Sequence, residues 1–235
     1  MHDYLFTVYL LVVLPAYSVW TSIRQKPATA SKGALHDYWR QARFSLGLLV
    51  VLWLVSLLSD HSLREIGLDL PLSQPGRWDL LFAFVLLACL RLGEMYFERK
   101  TSPEDLAKQK AMLDSLPFRM PATRLETLVY VLCMSIATAT WEILYRGYLL
   151  LILTPLLGLP TGVILASVSY GVAHGFTNTR QLLGSVIAAF AFTIAYAFTG
   201  SLWWLIVLHA AAPLTMVSAV RRMQAASVAD SVVRK

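Results

Sequence analysis

Glu142 and Arg146 in TWEILYRGYLL, His174 in SVSYGVAHG and His209 in WWLIVLHAAAP are ionisable side chains set inside otherwise apolar runs. A charge at the centre of a membrane-spanning helix costs about 2.5–3.5 kcal/mol on insertion scales, so such residues mark candidate functional sites. A glutamate with two imidazoles is the set needed to activate a water and steady an oxyanion. Each residue alone has a plainer reading. Glu142 and Arg146 are four apart, share a helix face and can pair as a self-neutralising staple. His174 follows Tyr170 by four and lies between Gly171 and Gly175, which permit close helix approach or an unwound turn. His209 follows Trp203 and Trp204, a pair suited to an interfacial belt, and a lone histidine there is usually a packed one. Their occurrence together points to chemistry.

Helices in a bilayer must position these groups. Hydrophobic residues make up 57% of the 235 and charged residues only 14%, with mean hydropathy +0.60; ordinary soluble domains are roughly 25% charged. The expected fold class is all-α integral membrane. Seven stretches are predicted to span: Tyr4–Trp20, Phe44–Leu58, Leu80–Phe97, Leu125–Tyr145, Pro160–Ala173, Leu182–Thr199 and Leu202–Val220. The fourth has room to continue through Leu149–Thr154 to Pro155, and the fifth is short enough to be re-entrant or tilted. The first run lacks a charged leader and a small-residue cleavage site, so it reads as a retained helix. Cys89 and Cys133 lie far apart within spans and read as buried small apolar residues.

Basic and uncharged connections alternate. Arg24, Lys26, Lys32, Arg40 and Arg43 follow the first span; Arg99, Lys100, Lys108, Lys110, Arg119 and Arg124 follow the third; Arg221, Arg222, Arg234 and Lys235 close the chain. The second connection balances Arg64 and Arg77 against Asp60, Glu65, Asp69 and Asp79, the turns at Leu156–Leu159 and Gly200–Ser201 hold no charge, and the one between those turns has Arg180. High and low counts alternate, which predicts the N-terminus outside and the C-terminus inside. No basic platform interleaved with aromatics is present, so nucleic acid is not an expected partner. Residues 102–117 open with a helix N-cap signature at Ser102 and carry Leu106, Met112, Leu113 and Leu116, which suit a surface-lying helix.

The order of three motifs resembles the CPBP family, the membrane-embedded CAAX prenyl endopeptidases and bacteriocin-processing (Abi-type) enzymes. They stand here as Trp141-Glu142-Ile-Leu-Tyr-Arg146, Tyr170-Gly-Val-Ala-His174 and His209-Ala-Ala-Ala-Pro213, within Leu125–Thr215. The resemblance divides the single membrane domain into N-terminal helices and basic loops (1–122), a CPBP-like core (123–220) and a basic tail (221–235). It implies an intramembrane endopeptidase acting on a hydrophobic, lipid-anchored or prenylated peptide at the bilayer. In the family the first glutamate of a pair and the first histidine activate water, while the second histidine and an asparagine steady the oxyanion. Two positions depart from that pattern: Trp141 replaces the first glutamate and Pro213 the asparagine. An indole offers only a donor, and proline has no side-chain donor. A milder change puts Tyr170 where the family has phenylalanine, which adds a hydroxyl.

Two readings follow. In one, Glu142 and His174 polarise water, His209 contacts the oxyanion and Arg146 orients Glu142. Adjacent helix positions differ by about 100°, so Glu142 reaches His174 only if the helix rolls or is distorted near Gly147. In the other, Glu142 remains paired with Arg146 and the protein is a degenerate relative that binds without cutting. A transporter is a weaker third reading, since no inverted repeat is visible. The family's metalloprotease label brings zinc into question; Glu142, His174 and His209 are the candidate ligands, but no HExxH is present and Arg146 opposes a cation beside Glu142.

Overall fold

Seven long helices follow from these apolar runs in the computed structural model, which describes residues 1–24, 33–98, 101–102, 104–105, 107–108, 111 and 119–233, the stretch 222–233 by backbone only. They are α1 (His2–Ile23), α2 (Ala34–Leu58), α3 (Gln74–Glu98), α4 (Arg124–Leu157), α5 (Leu159–Ala173), α6 (Thr179–Thr199) and α7 (Trp203–Val233). Six are long and apolar enough to cross a membrane; α5, at 15 residues, is the shorter apolar helix. The chain is a multi-pass integral membrane protein. Most of the expected surface helix at 102–117 lies outside the described residues.

Local chemistry sets the ends of the helices that carry the site. At the start of α4, Thr123 Oγ1 accepts from the Glu126 N–H at 3.1 Å while Glu126 accepts from the Thr123 N–H at 3.1 Å, a reciprocal capping box. The helix runs on past Tyr145, through Pro155, to Gly158, whose φ of +79° breaks it, and Pro160 then occupies the first turn of α5. Asn178 caps α6 by accepting from the Gln181 N–H at 2.9 Å.

α5 packs along α6 and against α1, α4 along α2 and α7, and α3 mainly against α7. A single large core joins Leu10, Leu14, Tyr145, Tyr148, Leu149, Tyr170 and Leu205. In α1 the backbone widens into a π turn over Tyr9–Val13, and there the Leu10 carbonyl accepts from Tyr145 Oη at 3.0 Å and Ser169 Oγ at 2.9 Å. One carbonyl thus ties α1 to both α4 and α5. Trp204 is buried with its N–H on Thr199 Oγ1, and Trp203 donates to the Asp69 carbonyl at 3.1 Å, so these tryptophans tie the α6–α7 turn to its surroundings. Both cysteines are free; Cys133 is buried as expected, but Cys89 is exposed on α3, whose flank is largely uncovered by protein.

Close helix approach at Gly171 is literal: a Cβ there would stand 2.7 Å from Val186 Cα and 2.9 Å from its nitrogen. Gly171→Ala must therefore push α5 from α6, and overpacking of this kind costs about 1–3 kcal/mol. The expected result is a lower unfolding midpoint in detergent; an unchanged midpoint would show that the two helices separate freely.

The α2–α3 loop folds back over the α6–α7 turn. Asp69 accepts from the Ser73 N–H at 2.7 Å and from Ser201 Oγ at 2.8 Å, and the Leu202 N–H donates to the Gly67 carbonyl at 2.8 Å. Burial pushes the Asp69 carboxyl upward, but these hydrogen bonds together outweigh it and hold the group below its ordinary 3.8. A depressed value stabilises the fold above the unfolded-state pKa, and that contribution is lost as pH falls through the lower folded value. Acid titration from pH 5 to below the ordinary 3.8 should thus loosen the wild-type loop, while Asp69→Asn, weaker at neutral pH, should lose little more on acidification. Hydrogen exchange of the Leu202 amide checks this, and equal pH slopes in the two proteins would contradict it.

Candidate functional site

The four ionisable residues converge where α4, α5, α6 and α7 meet. Directly after Glu142, α4 widens into a π turn over Ile143–Tyr148, a deformation that recurs at functional sites. A distortion near Gly147 is thus present. Gly147 is obligatory there, because any Cβ would run into the Ile66 carbonyl of the α2–α3 loop.

Glu142 is fully buried, and so is Arg146. The Arg146 Nη1–H donates to Glu142 Oε2. Glu142 Oε1 accepts from Tyr170 Oη at 3.0 Å and stands 2.9 Å from His209 Nδ1. That last approach is close in distance, yet the ring N–H is not aimed at the oxygen, so Nδ1 makes no directed hydrogen bond; it is an electrostatic contact. Removing an ion from water costs several kcal/mol even after relaxation, and these three partners are what offset it for the carboxylate. The guanidinium is less well served. Its carbon lies 4.4 Å from the Tyr170 ring centroid and 5.7 Å from that of Phe192, but Nε and Nη2 are buried with no hydrogen-bond acceptor among the described residues.

His174 ends α5, and Gly175 at φ +82° turns the chain away. Its Nδ1 is 2.9 Å from the Tyr170 carbonyl. A carbonyl can only accept, so the proton sits on Nδ1 and the neutral ring keeps its lone pair on Nε2. The ring packs edge-on against Tyr170 at 4.5 Å.

A cavity of about 250 Å³ is lined by both imidazoles together with Arg146, Tyr170, Phe192 and the small residues Gly184, Ser185, Ala188 and Ala189 of α6. A second, of about 610 Å³, reaches His174 from the other side, between Tyr17, Ser18, Thr21 and Ser22 of α1, Arg40, Gln41 and Phe44 of α2, and Trp141. His174 is the side chain common to both.

The reading in which Glu142 and His174 together polarise a water, with His209 on the oxyanion, asks the Glu142 carboxylate and both imidazoles to share one cavity. The imidazoles do; Glu142 lies behind the wall, its two oxygens taken by Arg146, Tyr170 and His209. The α4 face turned to His174 belongs to Trp141, whose ring is 6.4 Å from that imidazole and stacked on Tyr145 at 5.5 Å. The π turn thus does not bring Glu142 to His174. Pro213 is buried within α7.

The donor set does not suit zinc. Both Glu142 oxygens are engaged, one by a guanidinium, which leaves His174 and His209 without a carboxylate co-ligand. Among the described residues no three His, Cys, Asp or Glu side chains group as a metal site.

Sequence reasoning does not reach Tyr145, Phe192 or the α1 and α2 walls of the larger cavity. The Tyr170 hydroxyl, which it does reach, proves to be the second hydrogen bond on Glu142.

The fold and site define a polytopic membrane protein with a cavity lined by two histidines among its C-terminal helices. Residues 124–215 match the family described as Type II CAAX prenyl endopeptidase Rce1-like, a segment that begins with α4 and ends just beyond Pro213. The match covers the three motifs and agrees with the resemblance they carry. No curated protein and no solved structure matches the chain.

Proposed function

We propose that the protein is an intramembrane endopeptidase that hydrolyses a peptide bond of a prenylated or otherwise membrane-anchored substrate. The observation that carries this reading is the pairing of imidazoles across the 250 Å³ cavity, His174 with a free Nε2 and His209 backed by Glu142. His174 Nε2 takes a proton from water as its oxygen attacks the scissile carbonyl carbon. The carbonyl electron pair moves onto oxygen, which accepts a hydrogen bond from His209 Nε2–H, while Glu142 Oε1 stands 2.9 Å from Nδ1 on the other side of the ring. On collapse the C=O re-forms, the C–N bond breaks and His174 returns its proton to the leaving amine. Glu142 acts here through His209, as a positioning residue, with Arg146 and Tyr170 holding it.

A base without its own carboxylate is a weakened catalyst, and Trp141 is the observation that favours the other reading, a relative that binds substrates without cutting them. A panel of prenylated and transmembrane peptides, offered to the purified protein and to His174→Ala, separates the two. Cleavage by wild type should fall at least about 10²-fold in the variant, the usual scale of a lost general base. Cleavage that survives the substitution would remove His174 from the reaction. Binding without cleavage, beside an active relative run in parallel, would leave the non-cutting reading.

A further inference from the structure

Pro213 stands where the family's asparagine would donate to the oxyanion, and Arg146 has two buried donors, Nε and Nη2, with no acceptor among the described residues. Both facts meet in one place, because Arg146 lines the same 250 Å³ cavity as His174 and His209. We infer that Arg146 is the second oxyanion donor of this site, taking the place that position 213 has vacated. The inference rests on the hydrolytic reading above.

The chemistry follows from what surrounds the guanidinium. The Tyr170 and Phe192 rings accept part of its charge through their faces but offer no lone pair to an N–H. Glu142 engages only Nη1. Leaving buried donors of a charged group unmade is costly, and the cost disappears when an anionic oxygen arrives. The charge that develops in the reaction points the same way. The tetrahedral intermediate brings one negative charge toward a guanidinium with unmade donors. The ground-state carbonyl brings none. The interaction therefore strengthens as the carbonyl π pair moves onto oxygen, which is the condition for lowering a barrier and not merely tightening binding. His209 and Arg146 approach that oxygen from α7 and α4, so a proline at 213 removes one donor without emptying the hole.

Arg146→Lys tests this, since lysine keeps a cation for Glu142 but lacks the planar fork that carries the remaining N–H groups. Two non-cleavable farnesyl-cysteine peptides serve as probes: one with a phosphinate at the scissile position, a tetrahedral anion, and one with a neutral ketomethylene. Wild type should prefer the phosphinate. In Arg146→Lys that preference should vanish with ketomethylene affinity unchanged, and kcat on a cleaved peptide should drop about 10²–10³-fold at similar KM, the loss typical of one oxyanion donor. A merely structural role would lower both affinities together. If Arg146→Lys does not fold, the structure of wild type with the phosphinate decides: an oxygen within roughly 2.7–3.1 Å of Nε or Nη2 supports the assignment, and one held by His209 alone overturns it. Wild-type cleavage with an undiminished phosphinate preference in the lysine variant overturns the Arg146 role and leaves the hydrolytic reading standing. If wild type cleaves nothing, the hydrolytic reading fails separately; an Arg146-dependent phosphinate preference would still establish the anion site, and no preference would end both.

Discussion

Arg146→Met is expected to destabilise the folded protein by about 3–5 kcal/mol, the scale of breaking one partner out of a buried ion pair. Glu142 has no exposed surface, and Arg146 is the one fixed cation against its carboxylate among the described residues. Tyr170 Oη and His209 Nδ1 remain on Oε1, but Oε2 would face methionine with its charge unanswered. The pair itself need not be strongly stabilising, because both ions lose hydration on folding. The double variant Glu142→Leu/Arg146→Met should accordingly recover most of the loss, as apolar replacements of buried pairs do. The non-additivity of the two substitutions measures the coupling. Unfolding midpoints in a mild detergent, for wild type, both singles and the double, give the cycle. A single Arg146→Met protein as stable as wild type would mean that Glu142 is held protonated by its surroundings and that the ion pair is not what keeps it buried.

How much of this was legible in the sequence depends on how far apart the interacting residues lie. The seven helices and their order were readable because twenty-residue apolar runs and the alternation of basic connections leave a periodic signal. The Glu142–Arg146 pair was readable because an i,i+4 relation is local. So was the conflict at Trp141, since a step of about 100° between neighbours means that only one of positions 141 and 142 can face His174, and the structure gives that face to the indole. What turned Glu142 toward α7 instead was not readable. The contact with His209 joins residues on α4 and α7, and Asp69 meets Ser201 across 132 positions. Such contacts carry no spacing rule. The first two helices show the same limit. They share only hydrophobicity with the family pattern, yet Tyr17, Ser22, Arg40 and Phe44 line the larger cavity on His174. A bilayer-facing and a cavity-facing side chain on one helix differ too little in composition for the sequence to separate them.

Trp141→Glu should raise peptide hydrolysis by about 10²–10⁴-fold, the range that a positioned general base contributes. Trp141 already occupies the α4 face turned to His174, so a carboxylate at position 141 is directed at the imidazole, where Glu142 is directed away from it. The setting will tolerate the charge. Trp141 is only half-buried and borders the 610 Å³ cavity beside Ser18, Thr21, Ser22 and Gln41, which leaves a carboxylate room to stay hydrated on one side. The loss on the other side is the stacking on Tyr145, worth about 0.5–1.5 kcal/mol, too little to unfold the protein. His174 is the side chain common to both cavities and keeps its lone pair on Nε2 because the Tyr170 carbonyl fixes the proton on Nδ1; a water between that lone pair and a new carboxylate would meet two bases in place of one. The gain should therefore vanish in Trp141→Glu/His174→Ala, and that dependence distinguishes catalysis from a general loosening of the cavity. Activity in Trp141→Glu where wild type has none would show that the site is complete except for its base, and that the natural chain binds its substrate without cutting it. An active wild type that gains nothing from the Trp141→Glu substitution would mean that proton removal by His174 is not what limits turnover, and attention would shift to the oxyanion side, where Pro213 and Arg146 stand.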